Sequence, residues 1–399
     1  MLSIRFTCLF LLFTAALAAQ NDAYRMPGNK AETEINFLSS YYNQDGNNAA
    51  VTGGTGTEAL TDFSNVIIVN LPTDSVQSWN LQLGADYYTS ASTDNIDNVR
   101  SSASSEDVRG YGTLTYTRLN LEKSTNWSVR GGFSSEYDYL SFSAGIGWGK
   151  SWNEGNTSLQ LTAQAFFDRW DLIYPIELRF PDPPTVATDQ RRSYNGQVFF
   201  GQILNPRLQL GISAEIILMD GLLSTPFHRV FFQNGGLDIE RLPGNRLKIP
   251  ASIRLNWFAA DNVILRSWYR FYYDDFGIRA HTAEVEVPFK LGLNWVLGPF
   301  YRYHTQTASD YFAPFRAHPA AAAFYTSDFD LSALDSHKIG LGVRYAPPFG
   351  VLRGKFGERT VGLLKFLELR GSYFRRTQAE LEAVIIALGA GVTLTKKRN

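Results

Sequence analysis

The sequence predicts an all-β fold: one transmembrane antiparallel β-barrel of about 16 strands, with long external loops and mostly short periplasmic turns. Three observations carry the prediction. Segments of about ten residues that alternate apolar and polar side chains recur from Thr33 to Thr395. The connections between them sort by length, long ones after odd strands and short ones after even strands. And "MLSIRFTCLFLLFTAALAAQ" has Arg5 in a short leader, an apolar run from Phe6 to Leu17, and small residues at Ala16 and Ala18. Those are the three parts of a secretory signal peptide, with an apolar run too short to span a bilayer comfortably.

Taken in order, residues 1–18 are expected to be the signal peptide and 19–32 a periplasmic lead-in, with the barrel occupying 33–399. The first strands are expected to start near residues 33, 62, 76, 107 and 125. The sixth, near 138, contains "LSFSAGIGW", with Leu140, Phe142, Ala144, Ile146 and Trp148 on one face and only Ser and Gly on the other. The seventh, near 156, sets Leu159, Leu161, Ala163, Ala165 and Phe167 against Gln160, Thr162, Gln164 and Asp168. The eighth is placed near 193 and the ninth near 206, where Leu208, Leu210, Ile212, Ala214 and Ile216 oppose Arg207, Gln209, Ser213 and Glu215.

The tenth, near 245, has the clearest alternation: Leu247, Ile249, Ala251, Ile253, Leu255 and Trp257 against Arg246, Lys248, Ser252, Arg254 and Asn256. The next two form a hairpin about the "DDFG" turn, starting near 261 and 277. Leu265, Tyr269, Phe271 and Tyr273 share a face with Ala283, Val285, Val287 and Phe289 across the turn, while Arg266, Arg270, Thr282, Glu284 and Glu286 lie on the other. That spacing predicts an ion pair from Arg266 to Glu284 or Glu286. Strands near 291, 336, 360 and 383 complete the set. The last puts Leu388, Ala390, Val392 and Leu394 opposite Gly389, Gly391 and Thr393. Connections 43–61, 91–106, 171–192, 219–244 and 307–335 are long. Those at 72–75, 120–124, 151–155, 204–205 and 259–260 are short; 347–359 is a longer exception on the short side, and three connections after odd strands, the "DDFG" turn among them, are also tight.

Composition bounds function. Net charge is −1, so no nucleic-acid partner is expected. Charged residues are 19% and aromatics 14%, the balance of a barrel with aromatic girdles. The one cysteine, Cys8, lies in the leader, which leaves the mature chain without disulfides, thiol nucleophiles or zinc–thiolate sites. Beyond residue 20 nothing approaches 18 consecutive apolar residues, so any membrane crossing must be made by strands.

Parity places Glu215, Arg254, Arg266, Arg270, Glu284, Glu286 and Arg302 in the lumen. These charges fit a pore that selects solutes, or a wall of compensating pairs in a narrow barrel. His304, Asp310, Asp335 and His337 sit at the external mouth, without the close ligand spacing of a metal motif. No cofactor and no catalytic residue are expected. A lipid-facing Ser267–His281 pair is out of register and lacks a third partner. The expectation is a passive channel for small polar solutes, or a non-conducting scaffold. Loops 219–244 and 307–335 would suit either an inward plug or partner contact.

Several stretches, among them "AVTGGTGTEALTD", "LSTPFHRVFF", "ERLPGNRLKIPASIRLNWF", "YRFYYDDFGIRAHTAEVEVP" and "FYTSDFDLSALDSHKIGLGVRY", together resemble a family of bacterial outer-membrane barrels, common in Bacteroidota and catalogued as a domain of unknown function. The resemblance covers nearly the whole mature chain and brings no catalytic residues with it. It implies an outer-membrane, lipid-embedded protein and a place beside a small lipoprotein or an envelope redox system.

Overall fold

A computed structural model describes residues 32–89, 106–179, 187–356, 360–378 and 380–396. The expected signal peptide and nearly all of the lead-in lie outside them. Among the described residues no helix is long and apolar enough to cross a membrane.

Sixteen antiparallel strands form one sheet. They are β1 (Thr33–Asp45), β2 (Leu60–Pro72), β3 (Gln77–Thr89), β4 (Glu106–Asn120), β5 (Thr125–Ser135), β6 (Tyr139–Trp152), β7 (Thr157–Leu172) and β8 (Ala187–Asn205). There follow β9 (Leu208–Gly221), β10 (Asn245–Ala260), β11 (Val263–Asp274), β12 (Arg279–Glu286, continued by Phe289–Leu291) and β13 (Trp295–Gln306). Last come β14 (Leu334–Tyr345, continued by Leu352–Phe356), β15 (Thr360–Arg376) and β16 (Leu381–Lys396). Two interrupted strands account for the 18 hydrogen-bonded segments of the sheet. Each strand pairs with its sequence neighbour, and β1 pairs with β16 from Thr33↔Leu394 to Asp45↔Glu382. The sheet is therefore closed and has no free edge, which satisfies the backbone without water.

Because directly paired residues share a face, register extends the parity of one strand round the barrel. The outward face carries exposed apolar side chains on strand after strand, for example Ile67, Leu83, Leu114, Val129, Ile146, Leu161, Ile212, Ile253, Val285 and Ile339. Aromatics bound this band. Near the short turns Trp79 stacks at 4.9 Å on Tyr116, which meets Trp127 at 5.4 Å, and Trp295 meets Tyr345 at 4.6 Å. Toward the long loops Tyr41, Phe63 and Tyr87 stand side by side on β1, β2 and β3. Trp79 and Tyr87 are separated by roughly 26 Å of strand, the reach of a tilted strand across a hydrocarbon layer.

The long connections, 46–59, 90–105, 173–186, 222–244 and 307–333, all leave the same end, whereas 73–76, 121–124, 153–156, 206–207, 261–262 and 292–294 leave the other. Three expected boundaries differ. β8 begins six residues earlier, at Ala187, because its charged start pairs with the end of β7 well beyond the apolar band. Phe289–Leu291 belongs to β12: a break at Val287 and Pro288, which has no N–H to give, interrupts the strand without changing register, and Phe289 pairs with Val263. The expected connection 347–359 contains Leu352–Phe356, a ladder with β15 that prolongs β14 past the short-turn end.

Candidate functional site: the lumen wall and the loops over its mouth

Between β9 and β15 the inward face is strongly charged and arranged in tiers. In one tier Arg254, Trp268, Glu284, Arg302 and Lys338 stand in register on adjacent strands. Arg302 Nε donates to Glu284 Oε2 at 2.6 Å and its guanidinium lies over the Trp268 ring at 5.7 Å. In the tier toward the short turns Arg266 Nη1 lies 3.3 Å from Glu286 Oε2, and Arg370 Nη1 lies 2.9 Å from Glu286 Oε1. So Glu286, rather than Glu284, is the partner of Arg266, and it is shared between two cations. The tier toward the mouth holds Arg270, Thr282, His304 and Ser336, with Thr282 Oγ1 2.8 Å from His304 Nδ1. Arg270 and Glu215 attract one another across β10.

Cations outnumber carboxylates on this wall: Lys248, Arg254, Arg266, Arg270, Arg302, Lys338, Arg344 and Arg370 face Glu215, Glu284, Glu286 and Glu368. The opposite wall, from β3 to β7, presents Asn80, Gln82, Thr113, Thr115, Ser143, Thr162 and Gln164 at the same depth, together with Arg130, whose Nε donates to Thr115 Oγ1 at 3.1 Å. The lumen thus has a strongly basic side and a mainly uncharged polar side that carries Arg130.

The four mouth residues named from sequence do not come together. His304 faces the lumen. His337 and Asp335 are on the outward face, where Tyr301 OH is 2.7 Å from His337 Nδ1 and Tyr303 OH donates to Asp335 at 2.9 Å. Asp310 lies in loop 307–333, its backbone N–H bonded to Phe276 O at 2.9 Å. The outward His281 is engaged by Tyr269 OH at 2.7 Å, and Ser267 pairs with Val285, four positions from His281's partner Phe271. No Ser–His pair forms there.

Loops 46–59, 222–244 and 307–333 pack against one another over the mouth. The first joins β1 to β2 and the second joins β9 to β10, eight strand positions apart in a ring of sixteen, hence on opposite sides. They meet all the same: Arg229 Nη1 donates to Val51 O, and the space beside Gly53, at φ 82°, is filled by the Phe231 ring, which a Cβ would meet at 2.6 Å. A Cβ on Gly54 would meet Ser327 O at 2.6 Å, so glycine is what lets the first loop close on the third. Arg241 and Tyr325 exchange backbone hydrogen bonds at 3.0 and 2.7 Å, joining the second loop to the third. Glu177, from the connection after β7, accepts from Arg229 Nε and Nη2 at 2.7 and 2.9 Å. Small apolar cores sit inside this cap: Val230, Phe232 and Tyr325 in one, Leu242, Phe276, Ile278 and Leu331 in another. Below them the turn Phe329–Leu331 reaches the lumen wall, where Gln306 Nε2 donates to Asp330 O and Ser332 O at 2.9 and 2.8 Å and Arg376 pairs with Asp330.

The cap concentrates buried charge. Burial pushes the Glu58 carboxyl up to about 7. Burial also raises Asp328, with Asp330 adding to the effect. At Asp330 burial is outweighed by Arg376, which holds the carboxyl below its ordinary range. The ligating atoms of His228, Glu240 and Asp328 lie within 4.8 Å of one another. Asp107, Glu136 and Asp138 make a second such group at the rim, where Arg109 stands 3.7 Å from Glu136. The sequence does not single out the first group, because its members come from two loops and share no motif spacing.

Residues 14–349 match the family model described as "Protein of unknown function (DUF3570)". No curated protein matches the chain. Among solved structures it is similar to a bacterial polysaccharide outer membrane secretin, at 10% identity over 93% of this chain and 100% of that one, TM-score 0.45. It is also similar to a mutant of the TodX monoaromatic hydrocarbon channel, at 10% identity over 94% and 92%, TM-score 0.39. A third is the siderophore receptor PirA from Acinetobacter baumannii, at 10% identity over 88% of this chain and 54% of the receptor, TM-score 0.45. Likeness at this level bears on no solute.

Proposed function

The chain belongs to the DUF3570 family of unknown function, and from that premise we propose that it is an outer-membrane barrel through which small polar solutes, anions preferred, pass down their gradient when the loop cap opens. The outward apolar band between two aromatic levels supports a place in lipid. The observation that carries the transport reading is the lumen wall, basic from β9 to β15 and faced by mainly uncharged polar side chains with one further cation, Arg130. A cation-rich wall in a low-dielectric surround raises the local concentration of anions. On this reading the chain moves solutes and catalyses no reaction.

Proteoliposomes test it. With the cap shortened, efflux of a small sugar acid should exceed that of the corresponding neutral sugar, and both should exceed efflux through the intact protein. Equal impermeability of intact and shortened barrels would remove the proposal.

The packing of the cap favours a second reading, a closed barrel whose outer loops or lumen hold an envelope partner such as a small lipoprotein or a redox protein. Co-purification of one stoichiometric partner with a barrel that never conducts would favour it.

A further inference from the structure

We propose that His228, Glu240 and Asp328 form a binding site for one divalent transition-metal ion, Zn²⁺ or Mn²⁺ in class, that clips loop 222–244 to loop 307–333. This inference does not depend on the transport reading.

The geometry is that of ligands around a shared ion. His228 Nδ1 stands 3.7 Å from Glu240 Oε1 and 4.0 Å from Asp328 Oδ2. Both distances are too long for a hydrogen bond, and Nδ1 is closed off from solvent with no hydrogen-bond partner. A buried ring nitrogen left unbonded between two carboxylates is costly unless something sits among them. Donors bound to one ion at about 2.0–2.2 Å lie roughly 3 to 3.7 Å apart, so the imidazole needs to close on each carboxylate by only a few tenths of an ångström, with all three ligand atoms already within 4.8 Å of one another.

The carboxylates are held in place by other groups. Glu240 Oε2 accepts from Thr225 N at 2.6 Å and its Oε1 from Thr326 Oγ1 at 2.5 Å. Asp328 Oδ1 accepts from Asp330 N at 2.9 Å, which leaves Oδ2 turned to the imidazole. The backbone N–H of Glu240 donates to His228 O at 2.9 Å, fixing those two residues side by side. Such outer contacts orient metal ligands. Charge points the same way. Asp330 is taken up by Arg376, and Glu240 and Asp328 set two carboxylates against one imidazole, an excess of acid that a divalent cation would neutralise. One nitrogen and two oxygens, with no sulfur, suit Zn²⁺ or Mn²⁺ and leave a position for water.

The experiment uses the intact barrel, stripped with chelator and titrated separately with Zn²⁺ and Mn²⁺ by calorimetry. We expect one ion per chain, with affinity at least tenfold weaker in His228→Gln and in Asp328→Asn and unchanged in His304→Ala, a lumen histidine outside the cluster. No binding, or equal binding by all variants, overturns the proposal. X-ray absorption of the Zn²⁺-loaded wild type is independent of how the variants fold. One imidazole nitrogen with the remaining ligands oxygen supports the site, and an all-oxygen shell overturns it.

Discussion

Arg229 donates to both carboxylate oxygens of Glu177, at 2.7 and 2.9 Å, and with its third nitrogen to the backbone oxygen of Val51. One side chain therefore ties loop 222–244 to the connection after β7 and to the loop on the far side of the mouth. Arg229 is buried while Glu177 is about two-fifths exposed, so the ion pair is partly screened and most of the effect lies in the orphaned Val51 oxygen and the lost packing. Arg229→Ala should weaken cap closure by about 2 kcal/mol, read as faster protease cleavage within 222–244 with the barrel intact. Arg229→Lys, which cannot make the bidentate pair, should recover less than half of the loss.

Asp274 is fully buried and gathers four groups: Arg246, whose Nε donates at 3.0 Å, Tyr272 OH at 2.8 Å, and the Phe276 and Ile278 N–H groups at 3.1 and 3.0 Å. The short turn after β11 is built on this carboxylate, and Arg246 lies 4.4 Å from the centroid of the Phe276 ring. Asp274→Ala strands a buried guanidinium and should cost about 3–5 kcal/mol, seen as a lower urea midpoint for the folded band on a gel. Asp274→Asn should cost less.

Glu58 gives the cap a pH dependence. Its folded pKa is raised, chiefly by burial, to about 7 from an ordinary value of 4.5. The docked loop thus binds the proton more tightly than the free loop does. Docking is favoured fully below pH 4.5 and weakens as pH rises to about 7, by up to about 3 kcal/mol in total. Protection of loop 46–59 against hydrogen exchange, taken relative to the intrinsic exchange rate at each pH, should be greater at pH 5 than at pH 8. In Glu58→Gln it should be high at both; an unchanged pH difference in protection in that variant would refute the assignment.

Glu284 and Glu286 hold Arg302, Arg266 and Arg370 within the lumen wall. Replacing both acids by glutamine releases those guanidinium groups and removes two negative charges. In a cap-shortened barrel the reversal potential under a salt gradient should then shift toward greater anion preference. Arg254→Glu with Arg270→Glu should shift it the other way.

Strand order and faces were legible because membrane strands repeat every two residues and one face must be apolar. Trp257 and Leu265 share a face whatever the loops do, and the register pairs them. The Arg266 pair was legible within two residues from the turn alone. Where β8 began was not, since Arg191 and Arg192 carry no apolar alternation, nor was the continuation of β12 past Pro288. The cap was hidden for a different reason. Val51 and Arg229 are 178 positions apart and meet through a backbone oxygen, which leaves no pattern in side-chain type. His228 and Asp328 likewise come from separate loops, so nothing in their spacing joins them.

A lumen that is a path closed by the cap should reveal itself in single-channel recording. Gln306 and Leu334 are directly paired, so a short glycine–serine turn can replace residues 308–332 without moving β13 or β14. The intact protein should show rare, brief openings and the shortened one steady, anion-selective current. Silence from a shortened barrel whose folding has been verified would contradict it.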